Sequence, residues 1–365
     1  MQDRCDIVLP TIGEGGLVTG CIESLIRHTR YPYRLLVIDD GAPAEVSKRL
    51  DGFLRSGRLD MRVIKPAENL GWIRAINRGL EESKDSRYVC FQNDDTIFTE
   101  GWLEELVKVF ENDPGIGIAN PEWELPKGAD ADIFAAGLKR LSGQTADTDY
   151  CRGHCFFIRR EVIDRIGGFD PAYIPAYYDD RDYSLRAIEA GYRCVKARGS
   201  FVAHIRNVSM SKAMEKSAVH ELMERNGRIF YERWGYPLRL VFVLADTQGS
   251  KPLLQKMCMD QNKAIVVTTP EGLVPYHHTN MKVLRFGSFM FNLRTFAFLL
   301  ARRSRKRQKG ISFVFTDDKS FYSFANRFKG LITADVVLGE NLGDLADKAS
   351  SMVEEKKEKD RRSIV

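Results

Sequence analysis

Two clusters of carboxylates and one imidazole carry the chemistry in this 365-residue chain. The first is Asn93-Asp94-Asp95, which follows the apolar run "RYVCFQ" (87–92). The second is Asp179-Asp180 with Asp182, directly behind the aromatic stretch "FDPAYIPAYY". The imidazole is His204, closing "SFVAHI". Adjacent carboxylates repel unless a cation or a proton lies between them. A carboxylate and an imidazole with open positions suit Mn²⁺, or Mg²⁺ with more water ligands. Such a cation at a strand end can neutralise a departing diphosphate. An acid set against an apolar aromatic platform has a raised pKa and suits general-base work, and the platform suits stacking on a sugar ring. Each feature also has a plain structural reading. Asp94 and Asp95 can close a turn, Asp179 or Asp180 can open a helix, and one histidine at the end of an apolar run can be a satisfied structural residue.

The elements that must position these residues alternate along the first 120 positions. Strand signals at "DIVLP" (6–10), "RLLVIDD" (34–40), "MRVIK" (61–65), "RYVCFQ" (87–92) and "IGIAN" (116–120) are separated by helical stretches at 17–28, 44–54, 73–82 and 102–110. The alternation predicts an α/β fold, a Rossmann-like, mostly parallel sheet covered on both faces. Ligands bind such sheets beyond the carboxyl ends of the strands. Pro10-Thr11, Asp39-Asp40 and Asn93-Asp94-Asp95 then lie along one rim. Residues 121–150 read as a long excursion. Regular structure resumes with the strand "GHCFFIRR" (153–160) and helices at 161–166, 180–190 and 216–234, with one or two short strands ending at His204. From Arg239 onward "LVFVLAD", "AIVVTTP", "KVLRFG", "ISFVFTDD" and "ADVVLGE" predict a second, smaller α/β domain. The expected domains are 1–236 and 237–352, with a charged tail at 353–365.

The totals narrow the class. The chain is 44% apolar and 29% charged, ordinary for a soluble globular protein. No apolar run reaches the roughly 20 residues that span a bilayer, and the N-terminus lacks a secretion pattern. Seven scattered cysteines read as free thiols in a reducing compartment, so a cytoplasmic location is expected. The net charge of +5 is mild, and no nucleic-acid partner is expected. The segment "FNLRTFAFLLARRSRKRQKG" (291–310) joins an apolar helix to a basic end. It reads either as a peripheral contact with the inner face of the membrane or as a core helix with a solvated end. "GEGG" (13–16) is glycine-rich but acidic, which counts against a triphosphate-binding nucleotidyltransferase.

Three stretches, "ENLGWIRAINRGL" (68–80), "CFQNDDTIFTEGWLEEL" (90–106) and "GHCFFIRREVIDRIGGFDPAYIPAYYDDRDYSLRAIEAGYRC" with its sequel "FVAHI", closely resemble the inverting family 2 glycosyltransferases. The resemblance runs from about residue 5 to about residue 235. It implies the GT-A nucleotide-sugar transferase fold, of a rhamnosyl- or galactofuranosyl-transferase-like kind. It also implies a nucleoside-diphosphate sugar donor (UDP or dTDP favoured), a glycan or lipid-linked acceptor, and Mn²⁺ or Mg²⁺. By position, Asp95 and His204 would be the metal ligands, with Asn93 standing where the family often has its first Asp and Asp94 near the ribose. Asp180 would be the catalytic base, with Asp179 beside it. Asp39 would accept the imide N–H of a uracil-type base, Pro10 and Thr11 would line the base pocket, and Asn69, Gly71 and Arg74 would face the nucleotide. One displacement would invert the anomeric configuration, and the product would be a bacterial surface polysaccharide or lipid-linked glycan. The alternative is a non-catalytic sugar-nucleotide-binding or scaffold subunit.

Overall fold

The structure, a computed structural model, describes residues 2–13, 16–205, 216–245, 247–302 and 310–363. Most of the basic run of 302–309, the centre of "GEGG" and the last two residues of the tail lie outside them. The chain divides into two compact units, Met1–Ala146 with Tyr150–Ile229, and Asp147–Asp149 with Phe230–Val365.

The strands of the first sheet are β1 (Gln2–Thr11), β2 (Tyr33–Asp39), β3 (Met61–Ile64), β4 (Ser86–Gln92), β5 (Thr96–Phe98), β6 (Ile116–Glu122), β7 (Thr145–Thr148), β8 (Cys155–Arg159) and β9 (Arg193–His204). Among the described residues they pair in the order β3-β2-β1-β4-β8-β6-β9-β5, with β7 alongside β9. The β1–β2, β1–β4, β2–β3 and β6–β9 pairs are parallel, while β8 runs antiparallel to both β4 and β6. Cys5, Ile7, Val8 and Leu9 of β1 are all buried, as expected of a strand covered on both faces. One cover is the helix Gly71–Glu82, where Gly79 lets the helix backbone lie against Val8; a Cβ there would sit 2.2 Å from Val8 Cγ1.

The registers put the polar strand ends side by side. Thr11 pairs with Asp39, Asp40 N–H donates to Thr11 O at 2.9 Å, and Thr11 Oγ1 donates to Asp94 Oδ2 at 2.6 Å. The carboxyl ends of β1, β2 and β4 therefore do share a rim. Two segments depart from the sequence reading. The supposed excursion at 121–150 holds a helix, Ala131–Leu138, whose N-cap Asp130 accepts from the N–H groups of Asp132 and Ile133, followed by β7. The short strands before His204 are one strand of 12 residues, β9.

The second unit has an all-parallel sheet of β10 (Arg239–Val243), β11 (Lys263–Thr268), β12 (Met281–Arg285), β13 (Phe313–Thr316) and β14 (Asp335–Leu338), in the order β12-β11-β10-β13-β14. Helices Lys251–Met259 and Leu342–Arg362 cover one face, and Phe291–Ala301 and Lys319–Arg327 the other. All seven cysteines are buried free thiols. Among the described residues no helix is long and apolar enough to cross a membrane.

Candidate active site

The first unit opens a cleft of about 770 Å³. Its floor is the strand-end rim: Pro10, Thr11, Asp40, Asn93 and Asp94. One wall is the start of the helix Gly71–Glu82, the other the start of the helix Asp179–Glu189, and His204 closes the end of β9.

The Gly71 helix is anchored by an acid on the rim. Asp40 Oδ1 accepts from Leu70 N–H at 2.6 Å and Oδ2 from Gly71 N–H at 2.8 Å, while Asn69 Nδ2 donates to Asp40 O at 2.6 Å. Gly71 has φ +71°, a left-handed turn that a side chain would strain. The turn delivers Trp72, whose Nε1–H donates to Asp179 Oδ2 at 3.3 Å.

The opposite wall is held under backbone strain. Tyr177 and Tyr178, just ahead of Asp179, both lie in the left-handed region, at φ 74° and 72°. Aromatic residues rarely adopt it, and such strain persists only where surrounding contacts over-determine it. Here the contacts come from buried Asn226, whose Nδ2 donates to the carbonyls of Tyr173 and Ala176, both at 2.8 Å, and of Tyr177 at 3.2 Å.

The two acids that follow sit in different electrostatic settings. Burial first, and the charge of Asp180 second, push Asp179 from its ordinary 3.8 up to about 7. Burial also raises Asp180, against the pull of backbone N–H groups and two arginines. Asp180 Oδ2 accepts from Gly153 N–H at 3.0 Å and Oδ1 from Arg181 N–H at 2.8 Å. The guanidiniums of Arg152 and Arg181 both lie over the ring of Tyr150, at 5.4 and 5.7 Å. Asp182 belongs elsewhere: it is fully buried and pairs with Arg186 at 2.8 Å.

At the other end, His204 Nε2 lies 3.1 Å from Asp95 Oδ1 and 3.4 Å from Asn93 Nδ2. The His204 ring stacks on His154, centroids 5.1 Å apart, and Trp123 meets both rings. Among the described residues Asp95 Oδ1 is buried and accepts no hydrogen bond. A bare carboxylate oxygen facing an imidazole nitrogen is the donor set a divalent cation needs, and the residues fit one. Among the described residues no group of three or more His, Cys, Asp or Glu side chains could hold a metal. A cation there would take further oxygen ligands beside these two, as is usual for Mg²⁺.

Residues 6–167 match the model of Glycosyl transferase family 2. This chain carries a family 2 glycosyltransferase domain. Its curated relatives include the uncharacterized glycosyltransferase YwdF of Bacillus subtilis, 27% identical over 192 residues, which are 50% of this chain and 68% of YwdF. The O-antigen biosynthesis protein RfbC of Myxococcus xanthus is 24% identical over 234 residues, 56% of this chain but 18% of RfbC. In three dimensions the chain is similar to GalNAc-T7, solved with UDP, GalNAc and Mn²⁺. The TM-score is 0.50 at 18% identity, covering 63% of this chain and 50% of that one. The chain thus spans only part of the length of each of these relatives. At that identity the structural likeness speaks for the fold, a GT-A glycosyltransferase fold.

Within the glycosyltransferase domain, the cleft brings together Pro10, Thr11, Asn69, Gly71, Asn93, Asp94, Asp179, Asp180 and His204 of the residues expected from the sequence, and Asp95 adjoins it through His204. Two expected residues do not line it. Asp39, expected to accept from a nucleobase, is the last residue of β2 and turns into the next loop, where it accepts from Ala42 N–H at 2.9 Å and Ser47 Oγ–H at 2.8 Å. Arg74 is exposed, two residues and hence roughly 200° of helix beyond Trp72. Asp40, expected on the rim, lines the cleft, as do Trp72, Trp123, Arg152 and His154, to which the sequence reading gave no role. For Trp72 the signal was present in "ENLGWIRAINRGL", at the first turn of a helix that starts on the rim.

Proposed function

We propose that the cleft binds a nucleoside-diphosphate sugar and that the sugar passes, with inversion, to a hydroxyl of a glycan or lipid-linked acceptor. The observation that carries this reading is the shared cleft, with a cation-type pair, Asp95 and His204, at one end and a pair of differently held acids, Asp179 and Asp180, on the wall. Asp180 is assigned as the base. Its two backbone N–H bonds fix its orientation, and the neighbouring arginines favour its ionised form, while Asp179 keeps a proton up to about pH 7. Asp180 takes the proton of the acceptor hydroxyl as that oxygen attacks the anomeric carbon, and the nucleoside diphosphate leaves from the opposite side. Manganese or magnesium, held by Asp95 and His204, would supply positive charge to the leaving diphosphate. Asn93 can hydrogen-bond to substrate oxygens through its amide. A uracil- or thymine-type base is the favoured base of the donor, although the Asp39 carboxylate is engaged by Ala42 N–H and Ser47 Oγ–H. By analogy with the O-antigen protein RfbC, the product class is a cell-envelope polysaccharide.

The test is hydrolysis of a panel of UDP-, dTDP- and GDP-sugars with added Mn²⁺, by the native protein and by Asp180→Asn. Removing a positioned base lowers turnover on the order of 10²–10⁴-fold. Equal turnover by both proteins removes Asp180 from the role, and no turnover of any donor by the native protein removes the transferase reading of this cleft.

A further inference from the structure

The second unit presents a surface that the proposed transfer does not use. Helices Phe291–Ala301 and Lys319–Arg327 cover one face of its sheet. They pack against each other through Phe296, whose ring centroid is 5.8 Å from Phe324 and 5.9 Å from Phe328, and through Asn292 Nδ2, which donates to Ser320 Oγ at 3.0 Å. Thr295, Phe296 and Leu299 point inward. The outward side of the first helix is not polar in the ordinary way. Leu293 is 45% exposed, with exposed Ala297 and Ala301 following at four-residue spacing, and the turn just ahead of the helix exposes Phe289 at 75% and Met290 at 50%.

The charge of this region is one-sided. Residues 281–334 hold twelve Lys or Arg against two Asp, a net +10. The whole chain carries +5, so everything outside this segment is net −5. Both acids are engaged with backbone: Asp317 Oδ1 accepts from Ala245 N–H at 2.8 Å, and Asp318 caps the helix that follows it. Of the basic side chains, Lys282, Arg285, Arg294, Arg302, Lys319, Arg327 and Lys329 are described and exposed. Those at 303–309 lie outside the described residues and enter only as sequence charge.

We propose that this face docks on an anionic lipid bilayer, with the basic side chains on the headgroups and Phe289, Met290 and Leu293 inserted among the acyl chains. A soluble polyanion would use the charge and leave three large apolar side chains in water. A neutral apolar partner would leave the charge unmatched. A bilayer uses both, and exposed large apolar residues beside Lys and Arg are the pattern of interfacial binding. The inference is independent of the reading of the cleft.

The experiment is sedimentation of the full chain with vesicles of phosphatidylcholine alone and of phosphatidylcholine with phosphatidylglycerol. Binding is expected to the anionic vesicles and to be weak with the neutral ones. One basic residue near an anionic surface is worth roughly fivefold in affinity. The triple variant Arg285→Gln, Arg294→Gln and Arg302→Gln should therefore bind about 100-fold more weakly. The double variant Phe289→Ser and Leu293→Ser should lose the binding that survives raised salt. All five positions are exposed, so the melting temperatures should stay at the native value, and a variant that melts early is replaced by single substitutions at the same positions. The proposal is overturned if the native chain ignores anionic vesicles at low salt or if the triple variant binds like the native chain. It is equally overturned if the double variant binds unchanged while heparin or duplex DNA competes as well as lipid, which would mark a general polyanion surface.

Discussion

Replacing Asp179 by Asn keeps the shape of the side chain and its contact with Trp72 but removes the charge. Asp179 is 4% exposed, and burial together with the Asp180 charge lifts its pKa from 3.8 to about 7. In the unfolded chain the same group titrates near its ordinary value. The folded protein therefore holds this proton more tightly than the unfolded chain does, and stability falls as pH rises between about 4 and about 7. Below that window both states are protonated and the group contributes nothing. Above it both are ionised, and the buried charge costs about 4 kcal/mol, at about 1.4 kcal/mol for each unit of pKa. The amide of the Asp179→Asn variant never ionises. The variant should match the native protein near pH 4 and exceed it by up to about 4 kcal/mol at pH 8. For a unit of this size, 1 kcal/mol moves the melting temperature by roughly 2–4 °C, so the gain at pH 8 is on the order of 10 °C. The assay is thermal melting of both proteins across this range, without substrate or divalent ion. A melting difference that does not change with pH, or a variant that melts lower at pH 8, refutes the reasoning.

Two further substitutions test how the walls of the cleft are built. Asn226→Ala strips three carbonyls of their donor and should cost about 1–3 kcal/mol for the buried groups left unpaired. With Tyr177 and Tyr178 then able to leave the left-handed region, Asp179 should lose its buried setting, and the pH dependence of melting should flatten. Gly79→Ala should destabilise by about 1–3 kcal/mol in urea unfolding, since the new methyl meets Val8 Cγ1, Cγ2 and Cβ at 2.2, 2.9 and 3.1 Å. The gain in helix propensity of about 1 kcal/mol is too small to reverse that sign; an unchanged urea midpoint would mean the helix can shift away from β1.

Much of the first sheet was legible because its signals are local. An apolar run bounded by polar residues marks a strand, and the run "RLLVIDD" lies within a residue of β2 at both ends. The rim followed from parallel strands alone, since equal direction puts all their carboxyl ends on one side. What was not legible depends on contacts between distant residues. The antiparallel insertion of β8 between β4 and β6 leaves no mark on the alternation of strands and helices, because it is decided by pairing such as Phe91 with Phe156. The helix at Ala131–Leu138 was masked by the Gly, Asp and Lys around it, although Asp130 is a ready cap. Asn226 looks like an ordinary helix residue until the carbonyls it serves, some 50 positions earlier, are in place.

The same distinction explains why counting acids along the rim identifies the site but not the roles. Asp39, Asp40, Asp94 and Asp180 all accept hydrogen bonds from backbone or hydroxyl donors. These bonds make three of them ties. Asp40 sets the start of one helix, Asp39 closes a turn, and Asp94 is bound to Thr11. In Asp180 the same kind of bond aims the carboxylate into the cleft. Asp95 is different in kind. Among the described residues its Oδ1 is buried without a hydrogen-bond donor, and the nitrogen of His204 faces it at 3.1 Å. An unsatisfied buried carboxylate oxygen costs about 1–3 kcal/mol or more, and Asp95 lies one residue from Asp94, whose carboxylate does have a donor. On the function proposed above, a cation held between Asp95 and His204 would satisfy that oxygen. That is why Asp95, rather than the more conspicuous pair at Asp39-Asp40, is the acid on which metal dependence should turn.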